Sequence, residues 1–345
     1  MRNIDDILAD MMVTHQIDLM RFTAGERTRV IGLLNEMQGE LTGIVNSSAT
    51  AFTKDRARRL IKQADGVIQD YYGRVETAVD LKGLAEHEAA VTASTFASIG
   101  LPVALPSQTK LKSLVNGLLI DGSPAAAWWS KQASDTKFKF AQQVRLGIAE
   151  GETVQQIARR IRGGAGVPGI MDISRRHAAS LVHNAVMTVA NKSRMETYRE
   201  NADVVKGIEQ ISTLDGHTTP VCIAYSGAQF DLDGNPMNGT TLPYEGGTPR
   251  HWGCRSVEVP VTLTWRELGV DIDEFKASTR AAAGGPVRSD MTMDEYLKRQ
   301  EPRQVDEQLG KGRAQLWRDG KITLRQLVDG NGRELTLEQL RKRAA

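Results

Sequence analysis

The sequence predicts a mainly α-helical N-terminal region followed by a small α+β C-terminal module. Apolar residues recur at intervals of three and four up to about residue 201, which is the period of an amphipathic helix. From Val204 onward, β-branched and alternating stretches favour strands instead. Aromatic residues make up 5% of the chain, against 40% hydrophobic residues in total, and this composition favours helix-on-helix packing over a β-sandwich.

Two domains are expected in a chain of 345 residues, because single hydrophobic cores seldom grow beyond ~250 residues. We predict that residues 1–203 form the helical region and that residues 204–345 form the module, which ends in a helical tail. Glycine and proline residues predict a break near 100–108. Long antiparallel helices are the expected outcome.

Four helices are predicted before this break, the first three from apolar residues that share one helical face and the fourth from its Ala-rich composition. They cover residues 3–22, 30–45, 55–81 and 84–99. After the break, Ser123–Pro124 is typical of a helix start. Thr153 predicts the cap of a short helix that ends at Gly163, and Ser174 predicts the cap of a long helix that runs to about Asn201.

Strands are expected only in the module, where residues 204–213 and 255–263 are β-branched. Between them, residues 231–239 resemble a calcium-binding loop but lack the acidic residue that closes such a loop, so this stretch predicts turns. The tail ends in a basic helix whose charges predict a solvated face. Contact with DNA or an acidic partner is the less favoured alternative.

The segment 212–261 concentrates the residues that carry chemistry. It contains both cysteines of the protein, Cys222 and Cys254, together with two of the six histidines, His217 and His251. Cys222, His251 and Cys254 would supply three of the four ligands of a structural zinc ion, which prefers thiolate sulfur and imidazole nitrogen in a tetrahedral arrangement. His217 or Asp215 would complete the set.

Two alternatives to a metal stay open for the cysteines. They would form a disulfide in an oxidising compartment, but no secretory signal is recognisable, and cytosolic compartments keep thiols reduced. They would otherwise be ordinary buried residues, since cysteine is among the most buried residue types. In that case, His251 would hydrogen-bond a loop carbonyl.

The same segment resembles the phage head morphogenesis family, the minor head proteins typified by the F protein of phage Mu. The family pattern is an Asp-x-Arg-Thr-x-x-x-Cys stretch, a Gly-containing turn and a Pro-x-His-x-x-Cys-Arg closure. The matching residues are Asp215, Thr218, Cys222, Gly227, Pro249, His251, Cys254 and Arg255. His217 stands where the family usually has Arg, and Thr219 stands where a second Cys is often found. The resemblance is expected to extend from Phe140 to the C-terminus.

The resemblance implies a structural virion protein rather than an enzyme. Such a minor capsid protein lies in the capsid interior near the portal vertex and is present in the host cytoplasm during assembly. It assists head assembly and genome packaging or ejection. Its implied partners are the portal oligomer, the major capsid or scaffolding protein, and packaged DNA.

Composition limits the other function classes. A net charge of +2 is too small to indicate a nucleic-acid coat. No apolar stretch of about 18 residues predicts a membrane span. The remaining alternative is a thiol enzyme or metal-dependent nuclease carried in the virion. Cys222 with His251 has the residue types of the first, and Asp215, His217 and His251 those of the second, but no further motif supports either.

Overall fold

The computed structural model has the predicted fold class, a mainly α region followed by a small module that contains an antiparallel sheet. It describes residues 4–47, 54–164, 168–264, 267, 279–280, 287–288 and 291–344. Among the described helices, none has an apolar stretch long enough to cross a membrane.

Helices form nearly all of the described chain before residue 204. In chain order the elements are α1 (Ile4–Asn46), α2 (Lys54–Ala78), α3 (Leu81–Ser98), α4 (Gln108–Asn116), β1 (Leu119–Ile120), β2 (Ser123–Pro124), α5 (Ala125–Ala149), α6 (Val154–Arg162) and α7 (Ile170–Glu200). The predicted break near 100–108 is observed between α3 and α4. The predicted cap at Thr153 is also observed, with Gln156 returning the hydrogen bond, and α6 ends at Gly163.

Three details of this region differ from the sequence-based expectation. The two helices predicted within residues 3–45 are one helix, α1, because a single glycine at position 25 costs only about 1 kcal/mol in a helix interior. The helix predicted to start at Ser123–Pro124 is observed, but it begins at Ala125 with Pro124 as its N-cap. Ser123 and Pro124 themselves form strand β2, which pairs with β1 across Asp121 and Gly122, so strands are not confined to the module. Both turn residues have positive φ, at 48° and 76°, which suits the twist of a two-residue hairpin.

The third difference concerns the start of α7. The helix begins at Ile170, four residues before the predicted cap Ser174. The Asp172 carboxylate accepts a hydrogen bond from the Gly169 N–H at 2.8 Å and so satisfies the helix end that Ser174 was expected to satisfy. Ser174 lies inside the helix, where its hydroxyl is 3.1 Å from that of Thr136.

The module is built around a four-stranded antiparallel sheet in the order β5-β4-β3-β6. Its elements are β3 (Val205–Ile211), α8 (Pro220–Tyr225), β4 (Gln229–Asp231), β5 (Pro236–Met237) and β6 (Val257–Thr262). The predicted turns after Asp231 are observed, since its carboxylate accepts hydrogen bonds from the main-chain N–H groups of Asp233 and Asn235.

Short elements follow the sheet. They are β7 (Thr279–Arg280), β8 (Val287–Arg288), α9 (Met293–Lys298), α10 (Pro302–Leu309), α11 (Lys311–Arg318), a 3-10 turn (Leu324–Leu327) and α12 (Leu337–Ala344).

The chain folds into two compact units. The first unit comprises Met1–Leu19, Lys82–Val115 and Met187–Ala345, and the second comprises Met20–Leu81 and Asn116–Val186. This grouping is not the division at 203/204 that the sequence predicts, and that division remains a prediction about which part folds independently.

The first unit is held together by residues far apart in sequence. Its apolar core joins Ile4 and Leu8 of α1 and Phe96 of α3 to residues of the module. The Asp5 carboxylate accepts hydrogen bonds from the Thr262 N–H at 2.9 Å and from the Thr262 hydroxyl at 2.6 Å. The start of the chain is therefore fastened to the end of the sheet.

The second unit is a helical assembly. Helices α2 and α5 pack side by side. The Tyr72 hydroxyl lies 3.0 Å from that of Thr136 and links the two helices through a buried polar contact. Burial raises the pKa of Tyr72, despite hydrogen bonds with Thr136 and Ser174 that lower it.

Candidate metal centre

The pairing of β3 with β6 brings the two ends of the long connecting loop together. Ile211 at the end of β3 lies opposite Val257 at the start of β6. Cys222 is carried by α8, which follows β3, and Cys254 lies three residues before β6. Because both segments leave the same end of the paired strands, residues distant in sequence meet there.

Cys222, His251 and Cys254 form one cluster. The two Sγ atoms are 3.6 Å apart, and Cys222 Sγ lies 3.2 Å from His251 Nε2. Within the described ranges, this is the one group of His, Cys, Asp or Glu side chains whose donor atoms converge closely enough to hold a metal ion; all lie within 4.8 Å of one another.

These separations fit a zinc ion. Tetrahedral zinc with bonds of about 2.3 Å to sulfur and about 2.0 Å to nitrogen places its sulfur ligands about 3.8 Å apart and a sulfur and a nitrogen ligand about 3.5 Å apart. The two distances from Cys222 Sγ, to Cys254 Sγ and to His251 Nε2, are shorter than these values by a few tenths of an ångström. Two soft thiolates and an imidazole are also the donor set that zinc favours.

The ring of His251 is oriented by its other nitrogen. His251 Nδ1 lies 3.0 Å from the carbonyl oxygen of Trp252. A carbonyl oxygen only accepts, so Nδ1 must carry the proton and donate it. That hydrogen bond turns Nε2 toward the two thiols and sets the tautomer that a metal ligand requires.

The three groups also perturb one another's protonation. Contact with Cys254, together with burial, raises the pKa of the Cys222 thiol well above its ordinary value. The Cys222 contact and the His251 imidazole lower the pKa of Cys254 well below its ordinary value. A hydrogen bond with Cys254 raises the pKa of His251.

An ion pair fixes the loops around the cluster. Arg255 donates two hydrogen bonds to the Asp215 carboxylate, at 2.5 and 2.7 Å. Burial alone would raise the pKa of Asp215, but Arg255 reverses that effect and lowers it. Gln308 of α10 donates to the Asp215 carbonyl at 2.8 Å and so ties the same loop to the helical tail.

Two residues predicted as fourth ligands lie outside the cluster. The His217 side chain is exposed, and its main-chain N–H is bound to Asp215. The carboxylate of Asp215 is committed to Arg255. Neither belongs to the converging group. Sequence proximity does not determine the direction in which a loop side chain points, and a fourth ligand from either residue stays a prediction.

Thr219 is the residue that sequence reasoning missed. Its hydroxyl oxygen lies 2.9 Å from His251 Nε2, and the same side chain caps α8 by accepting from the Cys222 N–H. Thr219 precedes Cys222 by three positions, as His251 precedes Cys254 by three. This repeated spacing is the signal in the sequence, but threonine is not among the usual zinc ligands and so does not mark such a site by itself.

The two alternatives for the cysteines are also addressed by this geometry. Both thiols are free, and their separation of 3.6 Å is well above the length of a disulfide bond, about 2.05 Å. Both are buried, at 2% and 1% exposure. Burial alone would account for two apolar cysteines, but it does not account for the imidazole nitrogen turned toward them.

A second buried polar group lies on β6. Glu258 is buried, and its carboxylate accepts from the Thr248 N–H at 2.7 Å and from the Tyr244 hydroxyl at 3.0 Å. Burial raises the pKa of Glu258, although both hydrogen bonds and Arg250 act in the opposite direction. The loop between β5 and β6 is thus anchored to the sheet before it reaches His251.

The sequence was also compared with known protein families. Residues 139–259 match the family of phage Mu protein F like proteins. The match confirms the resemblance over these residues and covers all of the cluster. It ends at residue 259, so the tail that was expected to share the resemblance lies outside it. No curated protein and no solved structure matches the chain.

In this phage Mu F-like segment, both thiols are buried away from the surface. A nucleophilic thiolate must be reached by the group it attacks. Cys222 and Cys254 are covered by the surrounding loops, and His251 is half-buried. The arrangement favours a structural role.

Proposed function

We propose that the protein is a minor head protein that binds near the portal vertex in the capsid interior and assists head assembly and genome packaging or ejection. The observation that carries this proposal is the match of residues 139–259 to phage Mu protein F like proteins. The portal oligomer is the principal partner. The major capsid or scaffolding protein and packaged DNA are further partners.

The portal contact is assigned to the N-terminal helices. Ile17 and Phe22 of α1 are large apolar side chains, each 41% exposed. Deleting residues 1–100 would be a poor test, because Ile4, Leu8 and Phe96 belong to the core of the first unit. Surface substitutions are therefore preferable.

The experiment is co-purification of the full-length protein with the portal oligomer. The parent protein should bind, and Ile17→Glu with Phe22→Glu should weaken binding about tenfold or more, because each charge removes an apolar contact. Phe138→Glu is the matched control, since Phe138 is 66% exposed but lies on α5. If Phe138→Glu weakens portal binding as much as the double variant does, the portal contact does not lie at Ile17 and Phe22. If the parent protein does not bind the portal oligomer, the portal proposal is wrong.

We further propose that Cys222, His251 and Cys254 hold a structural zinc ion. The approach of three suitable donors from both ends of one loop supports this. When bound, zinc supplies a cross-link between α8 and the segment before β6. The Thr219 hydroxyl or a water molecule takes the fourth position. Elemental analysis of protein purified without chelators should find about one zinc per chain; absence of metal would contradict the site.

The enzyme alternative is tested directly. Purified protein incubated with DNA and a divalent metal ion should show no turnover. Turnover that His251→Ala abolishes would instead establish a catalytic role for this cluster. The domain division at 203/204 is tested by limited proteolysis, which should cleave near this boundary if the two parts fold independently.

A further inference from the structure

The second unit carries a groove whose chemistry the head-protein proposal does not use. It lies along α2 and α5 and has a volume of about 560 Å³. Its apolar floor consists of Ala57, Ile61, Ile148 and Ala149, of which Ala57 is buried and the two isoleucines are half-buried. A trough between two packed helices is a shape that a third helix fills with one of its side-chain rows.

The rim of this groove is mostly basic. Arg58, Lys62 and Arg145 line it together with a single acidic residue, Asp65. The three basic side chains are exposed. Arg58 and Lys62 are four residues apart and therefore occupy the same face of α2.

The basic residues are largely uncommitted. Among the side chains that the structure describes, Lys62 and Arg145 have no ion-pair partner. Arg58 has one, Asp55 at 3.3 Å, but both side chains of that pair are more than 70% exposed, at 81% and 76%. Exposed pairs of this kind contribute little, about 0–1 kcal/mol, and exchange partners readily.

We propose that this groove binds an acidic amphipathic helix of a partner protein. The apolar face of the helix packs on Ile61 and Ile148, and flanking Asp or Glu residues pair with Lys62 and Arg145. Recognition of an amphipathic helix in an apolar groove uses anchors spaced by three and four residues. The charge complementarity selects acidic helices and sets the direction of the bound helix, because Asp65 disfavours a carboxylate at its end of the groove.

Duplex DNA is the obvious alternative ligand for a basic surface, but the apolar floor of the groove favours a protein helix over DNA. Phosphate backbones are bound by exposed basic side chains and need no apolar floor. A groove with four apolar residues and three basic ones matches a helix that is both apolar and acidic.

The test uses the full-length protein and a fluorescein-labelled synthetic helix of about 15 residues, with Leu at every third or fourth position and Glu elsewhere. Fluorescence anisotropy should show saturable binding. The variant Lys62→Glu with Arg145→Glu should bind about tenfold more weakly or worse, because two attractions become repulsions. Ile61→Ser should weaken binding with the charges unchanged.

The control is Arg59→Glu. Arg59 is exposed on α2 next to Arg58 but does not line the groove. This variant should bind the peptide as the parent does, and circular dichroism should confirm that every variant keeps its helix content.

Four outcomes of the peptide and DNA binding experiments would overturn the proposal. The first two are no binding of the acidic peptide and equal binding of the same peptide with Lys in place of Glu. The third is that Arg59→Glu weakens binding as much as Lys62→Glu with Arg145→Glu. The fourth is that a 20-base-pair duplex DNA binds in a way that depends on Lys62 and Arg145, whereas peptide binding does not depend on them. Self-association of the parent that Lys62→Glu with Arg145→Glu abolishes would also overturn it, since a second copy would then occupy the groove.

Discussion

At the scale of single residues, the cluster depends on side chains that are short and well directed. The carbonyl of Trp252 holds the His251 ring, and Thr219 both caps α8 and faces the imidazole nitrogen. Each of these contacts uses a side chain or carbonyl within three positions of a thiol or imidazole in the chain. Local turns, rather than distant packing, therefore aim the donors.

Removing one thiol should expose the contribution of the metal. Cys254→Ser should lose bound zinc and lower the melting temperature by about 5 °C or more, because a ligand that binds only the folded state stabilises it. A chelator should reproduce the loss in the parent protein. His217→Ala is the control and should retain both metal and stability, since His217 is exposed and outside the cluster. If a chelator leaves the melting temperature of the parent protein unchanged, the three side chains are held by packing and not by a metal ion.

Adding a ligand at the fourth coordination position of the zinc ion should strengthen binding, whereas removing one weakens it. Thr219→Cys should raise zinc affinity by about tenfold or more, because a thiolate is a stronger zinc ligand than a hydroxyl or water. Competition with a chromophoric chelator measures the change. Unchanged affinity would mean that Thr219 does not face the ion.

The sequence singled out the three side chains that converge in the cluster, but it did not single out Thr219 beside them. Cysteine and histidine are rare in this chain, so their spacing carries information. Thr219 is one of many threonines and becomes informative only when the turn places its hydroxyl beside His251. His217 was a reasonable ligand by type, but the Asp215–Arg255 pair holds its loop with the imidazole outward.

At the scale of elements, strand β6 combines an apolar sequence with one buried carboxyl group. All six of its residues are buried, including Glu258. The strand pairs with β3 along its length, and Glu258 secures the Thr248 N–H of the incoming loop. This strand thus fixes the position of the turn that bears His251 and Cys254.

The protonation of Glu258 should make stability depend on pH. Because burial raises its folded-state pKa, the carboxyl group contributes stability below its unfolded-state pKa, and this contribution is lost as pH rises through the folded-state pKa. Glu258→Gln keeps both hydrogen bonds and does not ionise. The free energy of unfolding of this variant should therefore rise relative to the parent, on the order of 1 kcal/mol, between about pH 4 and pH 8.

Urea unfolding at several pH values measures this difference. Glu245→Gln is the matched control, because Glu245 is exposed in the same loop. A difference between Glu258→Gln and the parent that is constant across this range would show that Glu258 titrates alike in the folded and unfolded states.

The sequence predicted helices and strands correctly where the spacing of apolar residues stayed regular over many positions. The first and last residues of these elements were harder to predict. The periodic faces of α1 and α2 and the β-branched runs of β3 and β6 agree with the structure. The start of α7 was misplaced because Asp172, not Ser174, satisfies the helix end. Such choices depend on which of several capping residues reaches a free N–H, and sequence pattern does not rank them.

At the scale of the whole molecule, the first unit joins three separate chain segments through one buried network. His15, Glu88 and Arg194 come from the three segments in turn. His15 Nε2 lies 2.8 Å from Glu88, and Arg194 Nε donates to Glu88 at 3.0 Å. Arg194 and Glu88 are essentially inaccessible to solvent, with side-chain exposures of 1% and 0%.

Substitutions that break this network should lower the stability of the protein strongly. Arg194→Leu removes the guanidinium from the buried Glu88 carboxylate and leaves only His15 beside it, which should lower the free energy of unfolding by about 3–5 kcal/mol. Arg199→Leu, an exposed arginine on the same helix, should change it by no more than about 0.5 kcal/mol. Chemical denaturation measures both. Similar small effects for the two variants would mean that apolar packing alone joins the segments.

The bond between Asp5 and Thr262 has a consequence for synthesis on the ribosome. The two residues are 257 positions apart, so at about 5–20 residues per second the start of the chain waits roughly 10–50 s for its partner. During that interval Ile4 and Leu8, which end up in the core of the first unit, have no sheet to cover them. The nascent chain therefore exposes the apolar face of α1, and its release before residue 262 should yield fragments that engage chaperones or aggregate.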